Sequence, residues 1–422
     1  MTVSQRVPFY GRAAALHELL GHAGAVRDAG EGRLLTIDGR RQVGKSRLLT
    51  EFVERSRLPY LYYTAPNSPS PARHLQSWVD ASVHSTRPLP DSDTLWAKPP
   101  RDWADVFGRL AIAARGAPSV VVLDEFGLAC ATVPDLEAIL ATHWQRHLRG
   151  CPLLLVLIGR RPLGAASTTS ARHPTGDPLA AYAHPMTLPP LNPAECAHAL
   201  GSGATAVKAF DTYLLTGGSP RLVAGCAEAG DPMEFARAGL HDENSDLAVM
   251  APRFVAAEVG ESASARLVLA AIGSDGRGLA SFSRIVSQLP TSGVTAQTAT
   301  TRALRLLTEG KQIVALEAPF GAPANTKLRR YYLGDSYLSF WYSFVQPRLG
   351  DIARGRPDIA VSALGTGWAS WRAAAIRPIV QQALRRLTLT MPELARVETV
   401  GAWWNREGYE YDAVFGGAKG HS

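Results

Sequence analysis

Hydrophobic positions in the first half of the chain alternate between short continuous runs and longer stretches with helical spacing. Continuous apolar runs are typical of parallel strands buried on both faces, whereas apolar positions three and four apart predict helices. Strands are predicted at residues 34–37, 58–64, 119–123, 153–158 and 185–188. Because helical segments separate these strands, the pattern predicts an α/β core built on a parallel sheet.

The second half of the chain loses this alternation and becomes mainly helical. Asn192, Pro193 and Glu195 form a helix start, and the helical pattern continues to about residue 258, which predicts a helical lid. Residues 264–345 then predict three helices followed by a β-hairpin, which is a winged-helix pattern. The expected domains are a core at 1–192, a lid at 193–260, a winged helix at 261–346 and a small, partial α/β domain at 347–422. In the last domain we expect a helix at 368–387 and strands near 397–400 and 410–414.

Composition supports a globular protein with several domains. The 422 residues are 46% hydrophobic and 19% charged, and the net charge of +7 favours contact with phosphates or nucleic acid. The four cysteines are widely spaced and form no C-x-x-C pair, so we expect reduced thiols. We see neither a signal peptide nor an apolar run that could span a bilayer, and we therefore expect a cytoplasmic protein without membrane contact.

The segment from Gly39 to Ser46 carries the most specific chemistry. It reads G-x-x-x-x-G-K-S between a predicted strand and a predicted helix, which is the context of a phosphate-binding loop. In such a loop the backbone wraps a polyphosphate, Lys45 reaches its outer phosphates, and Ser46 completes the coordination of Mg²⁺. The candidate contacts to the nucleotide are Gly39, Arg40, Arg41, Gln42, Val43, Gly44, Lys45, Ser46 and Arg47.

Two adjacent carboxylates end the valine-rich strand at 119–123. Asp124 at the tip of a central strand can bind Mg²⁺ opposite Ser46, and Glu125 can deprotonate the attacking water. We therefore assign Asp124 to the metal and Glu125, with Lys45, to catalysis. Arg221 follows a Gly-Gly-Ser-Pro turn and would lie near the nucleotide if the lid covers it, although a simple connection between helices explains the turn equally well.

The third helix of the winged-helix pattern has a polar outer face. Thr298, Arg302 and Arg305 lie opposite an apolar side, as a helix in the major groove of DNA requires. Ten basic and four acidic residues lie between Arg266 and Arg348. Double-stranded DNA is therefore one candidate partner, and a protein is the other, since many winged helices serve as protein contacts.

Several motifs together resemble the archaeal-type ATPase family, a branch of the AAA+/STAND class. They are Phe9 to Arg12, the loop at 39–46, Trp103, Val120 to Glu125, Trp144, the turn at 217–220, and the aromatic block from Asp335 to Trp341. The resemblance implies ATP and Mg²⁺ as ligands of the loop and of the acids. It also implies a winged helix and a C-terminal domain related to restriction endonucleases.

The chain departs from the family at positions that bear on catalysis. Arg160 stands where the family has a small polar residue, and Pro178 to Tyr182 lacks the family's arginine, so slow hydrolysis is expected. Asp412 matches the nuclease fold's first metal-binding acid, but the following E-x-K strand is absent, so nuclease activity is not expected.

These observations lead to an ATP-dependent molecular switch that couples nucleotide state to the winged helix. The alternatives are a DNA-binding regulator that uses ATP mainly as a ligand, and the ATPase subunit of a nucleic-acid-processing or defence system. The sequence does not determine the oligomeric state.

Overall fold

The computed structural model describes residues 9–159, 177–275, 279–290, 293–323, 326–407 and 410–417. The chain divides into two compact units, Met1–Pro190 and Leu191–Ser422. Within the described ranges, no helix is both long enough and apolar enough to cross a lipid bilayer.

The first unit alternates strands and helices as the hydrophobic pattern predicts. Its strands are β1 (Arg33–Asp38), β2 (Tyr60–Thr64), β3 (Ser119–Asp124), β4 (Leu153–Ile158) and β5 (Ala183–Thr187). Its helices are α1 (Ala13–Ala29), α2 (Lys45–Ser56), α3 (Pro71–Val83), α4 (Ser92–Leu95), α5 (Trp103–Gly116), α6 (Phe126–Thr132) and α7 (Leu136–Arg146). The described strands form a parallel five-stranded sheet in the order β2-β3-β4-β1-β5.

Hydrophobic clusters cover both faces of this sheet. Every residue of β3 and β4 is buried, which is why these strands read as continuous apolar runs. Successive side chains point to opposite faces, so Val120 and Val122 join a cluster with α1 and α2. Val121 and Leu123 join a second cluster with α3, α5 and α7. The carboxyl ends of the five parallel strands of this sheet therefore lie at one edge of the layered core.

The second unit is mainly helical. Its helices are α8 (Pro193–Leu200), α9 (Ala206–Thr216), α10 (Pro220–Ala229), α11 (Pro232–Leu240), α12 (Asp246–Val259), α13 (Ala263–Gly273), α14 (Phe282–Ser287), α15 (Gly293–Arg305), α16 (Ser336–Phe340), α17 (Leu349–Ala353) and α18 (Pro357–Thr390). Its strands are β6 (Ala280–Ser281), β7 (Val314–Glu317), β8 (Arg330–Leu333), β9 (Val397–Trp404) and β10 (Glu410–Gly417). The antiparallel sheets are β6-β8-β7 and β9-β10.

The hairpin expected after the third helix is present, with Val314 opposite Leu333. The expected lid and the segment at 261–346 share one hydrophobic core, which runs from Leu214 on α9 to Trp371 on α18. These segments therefore pack as one body, and the boundaries between them are changes of element type within that body.

The last long helix, α18, begins at Pro357, earlier than the expected start at residue 368. Gly365 and Gly367 weaken the helical signal of its first turns, since glycine disfavours a helix interior. A Cβ added at Gly367 would lie 2.9 Å from the Phe344 ring, so this glycine allows the close approach of an aromatic side chain. Tertiary packing therefore favours the first turns of this helix, which local propensity alone does not predict.

Candidate phosphate-binding site

The loop between β1 and α2 has the backbone that its glycines suggest. Gly44 caps α2 at φ 87°, and Gln42 adopts φ 67° in the same left-handed region. A Cβ at Gly39 would lie only 2.5 Å from the Leu188 carbonyl oxygen, so a larger residue does not fit there without a shift of the backbone. The loop therefore turns tightly and leads directly into the N-terminus of α2, where free N–H groups attract anions.

Lys45 lies within the curve of the loop. Its Nζ donates to the carbonyl oxygens of Gly39 at 2.8 Å and of Arg40 at 2.9 Å. Burial lowers the pKa of Lys45, and the negative charges of Glu125 and Asp124 act in the opposite direction. The ammonium group is thus held inside the loop and within electrostatic range of both carboxylates.

Arg12 supports the same loop from the N-terminal side. Its side chain is buried, and its Nη2 donates to the Val43 carbonyl oxygen at 2.9 Å. Both Gly11 and Arg12 have a φ of 62°, so two consecutive left-handed residues direct the side chain inward before α1 begins. The structure places the arginine against the phosphate loop.

Asp124 ends β3, which is separated from β1 by β4. The residue is 4% exposed, and both carboxylate oxygens accept a hydrogen bond at 2.9 Å. Oδ1 accepts from the backbone N–H of Glu125, and Oδ2 accepts from the hydroxyl of Tyr62. That hydroxyl also lies 3.4 Å from the Ser46 carbonyl oxygen. The Asp124 carboxylate and the start of α2 are therefore neighbours. Oxygen atoms of this kind are the ligands that Mg²⁺ prefers.

Tyr62 is a site residue that the sequence did not single out. It lies on β2, and its strand neighbours give no sign that its hydroxyl reaches Asp124. Burial, together with the charge of Asp124, raises the pKa of Tyr62 far above its ordinary value, so the hydroxyl keeps its proton and acts as a donor. The register of β2 against β3, with Thr64 opposite Asp124, is the structural reason for the contact.

Glu125 follows in a left-handed conformation with φ 53°. A Cβ added at Gly159, just after β4, would lie 3.3 Å from the Cα of Glu125 and 3.4 Å from its Oε2. The backbone N–H of Gly127 donates to the Gly159 carbonyl oxygen at 3.2 Å. The half-buried Glu125 carboxylate therefore lies at the sheet edge between the ends of β3 and β4.

The other residues expected at the site differ in their surroundings. Arg47 lies 3.8 Å from Glu51 on the same helix, and Arg41 is exposed. Arg221 belongs to the second unit, where its Nε lies 2.5 Å from Asp246. Arg160 and Arg161, the arginines expected after β4, lie outside the described residues. In the described ranges, no group of three or more His, Cys, Asp or Glu side chains is arranged to hold a metal ion.

The sheet order places β4 between the loop strand β1 and the acidic strand β3. Among solved structures, the Walker-type ATPase of Pyrococcus abyssi matches with a TM-score of 0.54 at 14% identity, covering 80% of this chain and 97% of that chain. The first unit has the P-loop NTPase fold of the AAA+ type. At 14% identity this similarity establishes the fold of the first unit, but it does not establish an activity of this chain.

Two further solved structures align less well. The Aeropyrum pernix Orc1 protein in complex with DNA matches at 17% identity and a TM-score of 0.38, covering 83% of this chain and 96% of that chain. Drosophila ORC bound to DNA matches at 13% identity and a TM-score of 0.37, with coverages of 80% and 88%. No protein-family model and no curated protein matches this sequence.

Proposed function

We propose that the chain binds ATP with Mg²⁺ and hydrolyses it slowly, as a member of the archaeal-type ATPase family within the AAA+/STAND class. The observation that carries this proposal is the convergence of loop and acids at one sheet edge. The charges of Asp124 and Glu125 act on Lys45, whose Nζ lies inside the loop. Tyr62 joins Asp124 to the first turn of the loop helix.

Each residue then has a defined role. The loop N–H groups and the N-terminus of α2 bind the β- and γ-phosphates, and Lys45 exchanges its two loop carbonyls for phosphate oxygens. Ser46 and Asp124 hold Mg²⁺, which neutralises charge on the phosphates when it is bound. Glu125 accepts the proton of the attacking water, since a half-buried carboxylate at the sheet edge can reach it.

Slow turnover follows from what the chain lacks relative to the family it resembles. Before β5, the segment from Pro178 to Tyr182 ends in Tyr182 at the position where the family carries an arginine. An arginine that stabilises the charge of the transition state accounts for a factor of about 10³–10⁵ in phosphoryl-transfer rates. A chain without this arginine is suited to a long-lived ATP state, which is what a switch requires.

ATP turnover and ATP binding by calorimetry test the proposal on four variants. Lys45→Ala should lose ATP binding, whereas the surface control Lys98→Ala should retain it. Glu125→Gln should bind ATP but turn it over about 10²–10⁴ times more slowly, and the exposed control Glu18→Gln should match the wild type. A wild-type chain that takes up no ATP would refute the proposal, and unchanged turnover in Glu125→Gln would refute the assignment of the base.

We further propose that the second unit contacts duplex DNA through α15 of a winged helix. The outer face of α15 exposes Thr298, Arg302 and Arg305, while Ala303 and Leu304 are buried. Arg305 pairs with Glu309 at 3.1 Å, but both side chains are largely exposed, so this surface pair costs little to break. An exposed basic helix face of this kind suits the phosphates and base edges of a major groove.

The described residues of the wing of this module, 318–323 and 326–329, are already packed within the unit, which favours α15 as the contact with DNA. The Phe320 backbone N–H donates to the Ala402 carbonyl oxygen at 2.7 Å. Trp404 Nε1 donates to the Leu328 carbonyl oxygen at 2.8 Å, and the Arg330 guanidinium lies 4.5 Å from the centre of the Trp404 ring. The hairpin β9–β10 therefore packs against the wing.

Salt-dependent affinity for a duplex tests the DNA proposal. The double variant Arg302→Ala/Arg305→Ala should weaken binding and flatten its dependence on salt, because fewer phosphate counterions are released. Arg354→Ala/Arg356→Ala removes the same charge from exposed arginines elsewhere in the unit and should leave the affinity nearly unchanged. Affinity that does not depend on salt would point to a protein partner instead.

Coupling between the two activities defines the switch. Duplex DNA should change the rate of ATP turnover, and ATP should change the affinity for DNA by the same factor as DNA changes the affinity for ATP. If DNA binds but neither ligand affects the other, the chain is a DNA-binding regulator that uses ATP as a ligand.

A further inference from the structure

The hydroxyl of Tyr62 lies between the Asp124 carboxylate and the backbone of Ser46, and these are the two residues expected to hold Mg²⁺. It donates to Asp124 Oδ2 at 2.9 Å and lies 3.4 Å from the carbonyl oxygen of Ser46. A hydroxyl has one hydrogen to donate, and the shorter contact to a charged acceptor takes it. Asp124 therefore receives a charge-assisted hydrogen bond from the neighbouring strand.

Strand pairing and side-chain packing fix the position of Tyr62 in the fold. It lies on β2 at the edge of the sheet, and its ring packs against the hydrophobic cluster formed by α1, α2 and one face of the sheet. Its backbone pairs with Val122 of β3, so the phenol extends along the sheet toward the end of that strand. A rigid strand and a packed ring fix the hydroxyl more firmly than a loop would.

We propose that Tyr62 is a positioning residue for the Mg²⁺ site, orienting the Asp124 carboxylate toward Ser46. This inference rests on the proposed function, because it concerns the metal that accompanies ATP. The backbone N–H of Glu125 holds only Oδ1, and a single bond leaves the plane of the carboxylate free to rotate. The bond from Tyr62 to Oδ2 fixes that plane.

A partner that orients a metal ligand affects metal affinity without touching the metal. Removing such a partner typically lowers metal affinity or activity by about 10–100-fold. The effect should appear where Mg²⁺ is limiting, and it should be absent when ATP binds to the loop without metal, because Lys45 and the loop N–H groups do not depend on the orientation of Asp124.

Tyr62→Phe removes the hydroxyl and keeps the ring. Tyr60→Phe is the matched control, since Tyr60 lies two residues earlier on β2 and its hydroxyl contacts Thr86 Oγ1 at 3.2 Å. Calorimetry measures ATP affinity without Mg²⁺ and the Mg²⁺ concentration that gives half-maximal Mg-dependent binding. We expect Tyr62→Phe to raise this concentration about tenfold with unchanged metal-free affinity, and Tyr60→Phe to change neither.

Several results would overturn the proposal. An unchanged Mg²⁺ requirement in Tyr62→Phe would do so, and so would an equal loss of binding with and without Mg²⁺, because that result indicates a purely structural role. A lower Mg²⁺ requirement would show that the hydroxyl competes with the metal.

A second comparison keeps the test informative if Tyr62→Phe is less stable. In an Asp124→Asn background, Tyr62→Phe should leave the remaining Mg²⁺ dependence unchanged, because the charged ligand that it orients is gone. A further tenfold change in that background would contradict the proposal. Wild-type protein that binds no ATP at any Mg²⁺ concentration would refute the proposed function itself, whereas a wild-type response in Tyr62→Phe refutes only the role of Tyr62.

Discussion

Replacing Asp124 with asparagine should separate the charge of this residue from its structural contacts. In the native site Oδ1 accepts the N–H of Glu125 and Oδ2 accepts the hydroxyl of Tyr62. The oxygen of an asparagine can keep the first bond, and its NH₂ group can donate to the Tyr62 oxygen. The Tyr62 hydrogen then turns to the Ser46 carbonyl oxygen, which already lies 3.4 Å away. The Glu125 N–H and the Tyr62 hydroxyl therefore both keep a hydrogen-bond partner.

The size of the effect follows from these contacts. A hydrogen bond to a charged group contributes about 1.5–3 kcal/mol and a neutral one about 1 kcal/mol, so the substitution loses about 1 kcal/mol per bond. Because Asp124 is 4% exposed, removing its charge also removes a cost of burial, and we expect a net change within about 1 kcal/mol. For a unit of this size, that corresponds to a shift in Tm of about 2–4 °C.

Asp124→Ala behaves differently, because the N–H of Glu125 loses its acceptor in a buried position. An unsatisfied buried donor costs about 1–3 kcal/mol, so this variant should be clearly less stable. Both variants lose the proposed Mg²⁺ ligand and should lose at least about 100-fold in Mg-dependent ATP turnover. Thermal denaturation and a turnover assay, run on both proteins, measure the two effects. Turnover near the wild-type level in Asp124→Asn, or equal destabilisation of the two variants, would refute this reasoning.

Three other predictions concern packing. Gly159→Ala should slow ATP turnover and cost about 1–2 kcal/mol in unfolding free energy, because φ is +74° there and the new methyl group would lie 3.3 Å from the Cα of Glu125. Arg377→Ala should destabilise the second unit by about 3–5 kcal/mol and speed hydrogen exchange in β9–β10, because the nearly buried Glu317 loses this partner while the hairpin's Glu410 retains its pair with Arg330. Burial raises the pKa of Cys226, so its thiol should resist alkylation in the folded protein, as mass spectrometry can show.

Matched residues serve as controls for these three experiments. Gly150 has no atom within 4 Å of an added Cβ, so Gly150→Ala should leave turnover unchanged. Arg354 is largely exposed, and Arg354→Ala should cost little. Cys130 is half-buried and should be alkylated before Cys226. Equal effects in a variant and its control, or alkylation of Cys226 at the rate of Cys130, would show that the proposed packing does not govern the result.

Much of the first unit was predictable from local patterns. The strands β3 and β4 were predictable because both of their faces are buried and residues 120–123 and 153–158 are all apolar. The G-x-x-x-x-G-K-S spacing predicted the turn and the helix that follows it, since Gly44 supplies the left-handed cap. The early start of α18 was not predictable, because Gly365 and Gly367 disfavour a helix interior and the close approach of Phe344 to Gly367 is a tertiary contact.

The sequence by itself determined the α/β order of the first unit, the phosphate loop and the pair of acids at 124 and 125, because each depends on neighbours within a few positions. Only the tertiary structure decided which distant groups meet. Tyr62 reaches Asp124 across 62 positions, and Arg330 reaches Glu410 across 80. Such contacts depend on strand register and on how the layers pack. The amino-acid sequence contains no local pattern that predicts either of them.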